Sequence, residues 1–206
     1  MQIELWLAYV AATMVVLIIP GPTILLVLSY ALTQGRRVAV GMALGVALGD
    51  LVAITASLLG LGALVMASAT LFSVLKWIGA GYLIYLGIKL LRAGPAQIDL
   101  SDPDPKPVRQ IFTHAAIVTA TNPKSIAFFV AFVPQFIRPE AALAPQFTLL
   151  IATFVTLGTL NALAYALLAD RLRRRIRKPA VLTWLNRLGG GVLVTMGALT
   201  ATLGRS

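Results

Sequence analysis

Leu17-Ile18-Ile19-Pro20-Gly21-Pro22-Thr23-Ile24-Leu25 lies inside an apolar run that extends from Leu5 to Leu32. The run is long enough to cross a bilayer, yet its middle is a helix breaker. A second apolar run carries the same kind of interruption, Thr121-Asn122-Pro123-Lys124-Ser125-Ile126. A helix broken in mid-membrane frees backbone groups that lipid cannot satisfy, so such a break survives only where protein or a polar cavity covers it. Matched breaks in two halves of a membrane protein point to a transport site.

Composition sets the frame around the two breaks. The chain has 206 residues, of which 59% are hydrophobic and 12% charged, against about 25% charged in a soluble domain. Mean hydropathy is +0.90. These values predict an all-α integral membrane protein. There is no cysteine, which excludes disulfides, thiolate metal sites and thiol redox chemistry. The single histidine, His114, leaves little for histidine-based catalysis or metal binding and reads as a surface residue. No metal site and no cofactor are expected. The net charge of +10 sits in short loops between apolar runs, where membrane orientation explains it better than nucleic-acid binding. No cleavable signal is expected, because the first apolar run is too long and lacks a basic leader.

Six transmembrane helices are predicted, at about 5–32, 40–67, 71–92, 112–137, 146–169 and 181–203. Each exceeds the roughly 20 residues that cross about 30 Å of hydrocarbon. Arg36, Arg37, Lys89, Arg92, Lys106, Arg109 and the basic run Arg171–Lys178 fall on one side. Only Lys76, Arg138 and Arg205 fall on the other. The positive-inside rule puts the first group in the cytoplasm and both termini outside. The Pro- and Asp-rich stretch between Ala93 and Gln110 reads as a linker. The expected division is a first three-helix half at 1–92, a cytoplasmic linker at 93–111 and a second half at 112–206. Halves of three spans must face opposite ways, so the expected plan is a 3+3 inverted repeat with helices one and four broken; the alternative is six spans without duplication, since the halves share little direct identity.

The residue types at the breaks suggest a site. Asn122 is a preferred N-cap and Pro123 suits the first helical position. Gly21 and Pro22 read in the same way. A restarting helix presents free N–H donors and its positive dipole end, which suits a carboxylate. Thr23 and Ser125 add hydroxyls. The alternative is that each proline only kinks a helix. Lys124, near the middle of a span, costs about 2.5–3.5 kcal/mol on insertion scales and needs a cavity or an acid. Asp50 is the one acid deep in a span and is its candidate partner, either as a static pair or in a proton cycle. Burial and a neighbouring cation act in opposite senses on an aspartate, and a group so placed can take and release a proton. Asn161 is the neutral counterpart of Asp50 in the second half. The candidate substrate-binding set is Gly21, Pro22, Thr23, Asn122, Pro123, Lys124 and Ser125, and the coupling set is Asp50 and Asn161.

Other features read as structural. Gly41, Gly45 and Gly49 form a stripe that permits close helix packing; left exposed, it would point to a homodimer. Gly79, Gly81 and Gly87, with Tyr82 and Tyr85, read as a second packing face. Trp6, Trp77 and Trp184 read as interface anchors. The run Arg171–Lys178 also suits anionic lipid.

Several stretches together resemble the lysine exporter and homoserine/threonine efflux (LysE/RhtB) family of bacterial inner-membrane proteins. They are Pro20-Gly21-Pro22, the glycine-rich Gly41–Asp50, and Leu75-Lys76-Trp77-Ile78-Gly79-Ala80-Gly81-Tyr82-Leu83-Ile84-Tyr85-Leu86-Gly87. Thr121–Ser125, Phe132-Val133-Pro134-Gln135-Phe136 and Leu185-Asn186-Arg187-Leu188-Gly189-Gly190-Gly191 complete the set. The resemblance implies proton-driven export of amino acids or close derivatives across the inner membrane by six helices. Some members carry an acid in span five, where this chain reads Thr156-Leu157-Gly158-Thr159-Leu160-Asn161, so a two-acid proton route is in doubt. The implied partners are a small zwitterionic substrate, protons and the lipid bilayer. Three rival readings fit the sequence less well. A metal transporter lacks Cys and any Asp/Glu/His cluster in its spans. An intramembrane enzyme lacks a nucleophile with its base. A non-transporting assembly protein would show no loss of flux when the two breaks are replaced by continuous Ala/Leu helix.

Overall fold

The structure, a computed structural model, describes residues 1–67, 69–94, 106–138, 141–176 and 179–202. Helix α1 spans Ile3–Ile18 and α2 spans Pro22–Gln34. A short 3-10 turn, Arg36–Val38, leads into α3, Ala39–Ala67, which is followed by α4, Ala69–Arg92. Helix α5 spans Val108–Ala120 and α6 spans Pro123–Ala127. Helix α7 runs from Leu143 to Ile176 and α8 from Pro179 to Thr202.

Both predicted breaks are present. Between α1 and α2 the chain bends by 54°. Pro20 and Pro22 lack N–H donors, so the helical ladder cannot pass through them. Pro22 sits in the first turn of α2, where that loss is harmless, and Gly21 takes an extended conformation as the N-cap. In the second run Asn122 is the N-cap and Pro123 opens α6. Past α6 the helix widens to a π turn over Phe128–Phe132 and tightens to a 3-10 turn over Val133–Phe136. Pro134 explains the change, since its ring clashes with the carbonyl four residues earlier and it has no donor for the ladder.

Among the described residues, Arg36–Ala63, Val108–Phe136 and Leu143–Ala169 are long and apolar enough to cross a membrane, and the bent pair α1–α2 makes a fourth if it is one span. Many large apolar side chains face outward, among them Val40, Leu44, Leu51, Leu59, Ile78 and Leu160. That surface suits lipid, where outward apolar groups carry no penalty. The linker predicted at 93–111 falls largely on residues outside those described, and its last four, 108–111, already belong to α5. The basic run Arg171–Lys178 begins inside α7, and its side chains also lie outside the description.

Glycines set the closest contacts. A Cβ on Gly45 would strike the Phe112 carbonyl, and one on Gly49 the Ala116 carbonyl. The α3 stripe is therefore covered by α5 of the same chain and is not free for a second copy. Helices α4 and α8 touch backbone to backbone: a Cβ on Gly87 would lie 2.7 Å from the Gly190 carbonyl, and one on Gly190 would lie 2.6 Å from the Gly87 carbonyl. The predicted α4 packing face is only partly realised. Gly79 lies against Ala131, but Gly81 meets no atom within 4 Å, and Tyr82 and Tyr85 are exposed. The reason is helical period: residues 81 and 85 fall on the far side of the helix from 79 and 87. Trp77 and Trp184 are exposed, whereas Trp6 Nε1 donates to Thr153 Oγ1 at 3.1 Å. His114 is exposed as expected, with Nδ1 2.9 Å from the Tyr30 hydroxyl.

Candidate functional site

The breaks do not stand apart; each completes the other. Asn122 accepts the Lys124 N–H on Oδ1 at 3.0 Å, the expected N-cap. Its other end, Nδ2, donates to Thr23 Oγ1 at 3.0 Å. Thr119 adds a 3.3 Å hydroxyl contact to the same Thr23 oxygen. Thr23, Thr119 and Asn122 are all buried, so this polar cluster sits in the packed interior between α2 and α5. The first turn of α2 has no side-chain cap.

The end of α1 shows what Lys124 does. Helix α1 stops at Ile18, and its last carbonyls have no intrahelical partner. Lys124 Nζ donates to Val16 O at 2.9 Å and to Ile19 O at 2.7 Å. Asn161 Nδ2 donates to Leu17 O at 3.1 Å, and the Tyr165 hydroxyl donates to Ile18 O at 2.9 Å. Four consecutive carbonyls are thus held by three side chains of α6 and α7. A cation at a helix C-terminus also answers the negative end of the dipole. Lys124 and Asp50 line the same cavity, but the ammonium makes its hydrogen bonds to this cap, and among the described residues no ion pair within 4 Å joins the two. The ammonium's hydrogen bonds go instead to carbonyls of the broken helix, which the sequence does not display as polar groups.

Asp50 is buried on α3, and among the described residues its carboxylate makes no hydrogen bond. One oxygen, Oδ2, lies against the backbone of Gly158 on α7, where a Cβ would overlap it. Gly158 therefore makes room for the acid. The same α7 stretch supplies Asn161, one helical turn further on.

Asp50, Asn161, Gly21, Thr23, Asn122, Lys124 and Ser125 line one cavity with Leu17, Ile24, Val46 and Gly158. Pro22 and Pro123 do not reach it; both are exposed and act by starting their helices. The cavity measures about 20 Å³, close to the space one water occupies and far too small for an amino acid. Along α3, Val46 belongs to one apolar cluster and Ala53 and Ile54 to another, with Asp50 between them. Along α7, Phe154 and Ala162 flank Gly158 and Asn161 in the same way. One cluster is aromatic, built on Tyr9, Phe128, Phe129, Phe132, Phe136 and Phe154. The other is mostly aliphatic and rich in alanine, with Tyr30 among its buried residues. The polar cavity lies between the two apolar clusters.

Sequence reasoning missed Gly158 and Tyr165. A glycine in a helix and a tyrosine on an apolar face carry no mark of a site. Spacing offered one signal, since Gly158, Asn161 and Tyr165 fall at intervals of three and four and so share a face.

The family described as LysE type translocator matches residues 14–204. A homoserine/homoserine lactone efflux protein of Salmonella typhimurium is 35% identical over 203 residues, covering 98% of both chains. A leucine efflux protein of Klebsiella pneumoniae is 31% identical over 206 residues, covering 96% of this chain and 95% of its own. An uncharacterized membrane protein of Vibrio cholerae is 37% identical over 202 residues, covering 98% of both chains. No solved structure matches.

Proposed function

The chain belongs to the LysE type translocator family, and from that premise we propose that it exports a small zwitterionic amino acid or close derivative across the bacterial inner membrane, coupled to protons. Members of the family are transporters rather than enzymes. The relatives' names, homoserine/homoserine lactone efflux and leucine efflux, favour an uncharged side chain. So does the cavity, which holds one acid, Asp50, and no second one for a basic side chain.

The architecture behind this reading is six spans in two inverted halves, with both termini outside. Helices α4 and α8, 24 residues each, supply the two spans beyond the four counted above. Packing partners support the repeat. If α1–α2 corresponds to α5–α6, α3 to α7 and α4 to α8, then α3 against α5 matches α7 against α1. The contacts α4 with α8 and α3 with α7 map onto themselves, and all four pairings occur. Two-fold-related halves have this pattern of neighbours.

The single observation that carries the function is the polar cavity where both breaks meet Asp50. The uncapped start of α2 receives the substrate carboxylate. Asp50 carries the coupled proton, and Asn161 marks the neutral end of the same site. Alternating access comes from one half rocking against the other and parting one apolar cluster at a time. Labelled homoserine and leucine in proteoliposomes test this: wild type should show counterflow and should respond to an imposed pH gradient. Asp50→Asn should keep counterflow and lose the gradient response. Gradient-driven export intact in that variant removes Asp50 from coupling, and no counterflow with any amino acid tried removes the export reading.

A further inference from the structure

The carbonyls at the end of α1 carry a more specific assignment. Val16 and Ile19 are buried, and their carbonyls cannot be left unpaired in a membrane interior without a cost of several kcal/mol. The group that satisfies them is a primary ammonium, Lys124 Nζ, at 2.9 and 2.7 Å. It is delivered by a side chain from the other half of the molecule. The stem of that side chain passes Gly21 so closely that a Cβ there would lie 3.3 Å from both Cε and Nζ. Lys124 thereby occupies much of the room between the breaks, and only about 20 Å³ is left.

We propose that the Val16 and Ile19 carbonyls form the binding site for the substrate's α-ammonium and that Lys124 is the protein's own stand-in for it. An α-ammonium and Nζ are the same functional group, each a cation with three N–H donors. Exchange of one for the other keeps both carbonyls paired and keeps the charge at the α1 C-terminus. No other common part of a zwitterion does so. Withdrawal of the lysine also opens space, which the cavity needs before it holds an amino acid. The exchange has a mechanical consequence. In the closed form Lys124 ties α6 to α1 across the two halves. With substrate bound that tie is released, so the halves are free to move only when cargo is present. This assignment deepens the export reading and rests on it for the identity of the ligand.

The test uses ethylammonium as the probe and Lys124→Ala in lipid nanodiscs. The truncation exposes the two carbonyls and leaves a space shaped for a small primary ammonium. Ethylammonium chloride should raise the melting temperature of Lys124→Ala by about 3–6 °C at concentrations well above its dissociation constant. Tetramethylammonium, which has no N–H donor, should not, and wild type should respond to neither. Equal responses of the folded variant to both cations overturn the assignment. If Lys124→Ala does not fold, the same question is read in ¹⁵N-lysine-labelled wild type, with the Lys124 Nζ resonance assigned through Lys124→Arg. That resonance should shift on adding L-homoserine or L-leucine and stay fixed with the N-acetyl derivative. A resonance unmoved by an amino acid that shows counterflow also overturns the assignment. Ethylammonium binding involves no transport step, so its failure leaves the export reading standing, and a failure of counterflow leaves the ethylammonium result standing.

Discussion

Asn122 Nδ2 donates to Thr23 Oγ1 at 3.0 Å, which ties the helix restart of the second half to that of the first. The same side chain caps its own helix through Oδ1. One amide therefore does two things that substitution can separate. Serine at 122 keeps a capping oxygen but is too short to reach Thr23, while alanine loses both. Asn122→Ser should lower unfolding free energy by about 1 kcal/mol and Asn122→Ala by roughly 2 kcal/mol. Thermal unfolding in detergent ranks them; equal losses would mean that the bond to Thr23 contributes nothing.

Gly158 is a test of how tightly Asp50 is held. Alanine is ordinarily the better helix former by about 1 kcal/mol, but here its Cβ overlaps Asp50 Oδ2. Gly158→Ala should destabilise by about 1–3 kcal/mol, as overpacking does, and should reduce transport at unchanged expression. In an Asp50→Ala background the same change should become neutral or stabilising. A double-mutant cycle reads the coupling, and additive effects would show that the acid does not rest on Gly158.

Glycines of α3 and α4 should differ sharply. Gly45 and Gly49 face the α5 backbone, whereas Gly60 and Gly81 meet nothing within 4 Å. Gly45→Ala and Gly49→Ala should each destabilise by at least about 1–3 kcal/mol. Gly60→Ala and Gly81→Ala should be neutral or stabilising by up to about 1 kcal/mol. Melting temperatures of the four variants suffice.

The caps of α1 should rank by burial. Asn161→Leu strands the Leu17 carbonyl inside the bundle and should cost about 1–3 kcal/mol. Tyr165→Phe frees the Ile18 carbonyl at a more exposed position and should cost less, about 0.5–1.5 kcal/mol. Reversed magnitudes in thermal unfolding would place the tighter closure at Tyr165.

The absence of native cysteine makes sidedness directly measurable. Gln2→Cys and Arg138→Cys should react with a membrane-impermeant maleimide in intact cells. Arg37→Cys, on a basic loop, should react only after permeabilisation. The opposite labelling pattern would invert the orientation.

Much of this molecule was legible as sequence because bilayer physics acts on single residues. Helix positions follow from apolar run lengths. Both breaks follow from proline, which interrupts the ladder wherever it stands past the first turn, and the Asn122 cap follows from its place before Pro123. The isolated acid and the isolated lysine stood out against an apolar background. These effects are local, so one dimension suffices to see them.

The partners of those residues were not legible, because partner choice is a competition settled in three dimensions. Lys124 and Asp50 have opposite charges, and pairing them is the natural reading of a list of side chains. The winning acceptors are the carbonyls of Val16 and Ile19, which every residue carries and which become available only where α1 ends. Gly158 gained its role only because α7 brings it against Asp50, and Tyr165 only because α7 passes the end of α1. The sequence determined where the helices break; the tertiary structure decided which groups answer the breaks, because an unpaired backbone carbonyl in a membrane interior attracts a donor more strongly than its silence in the sequence suggests.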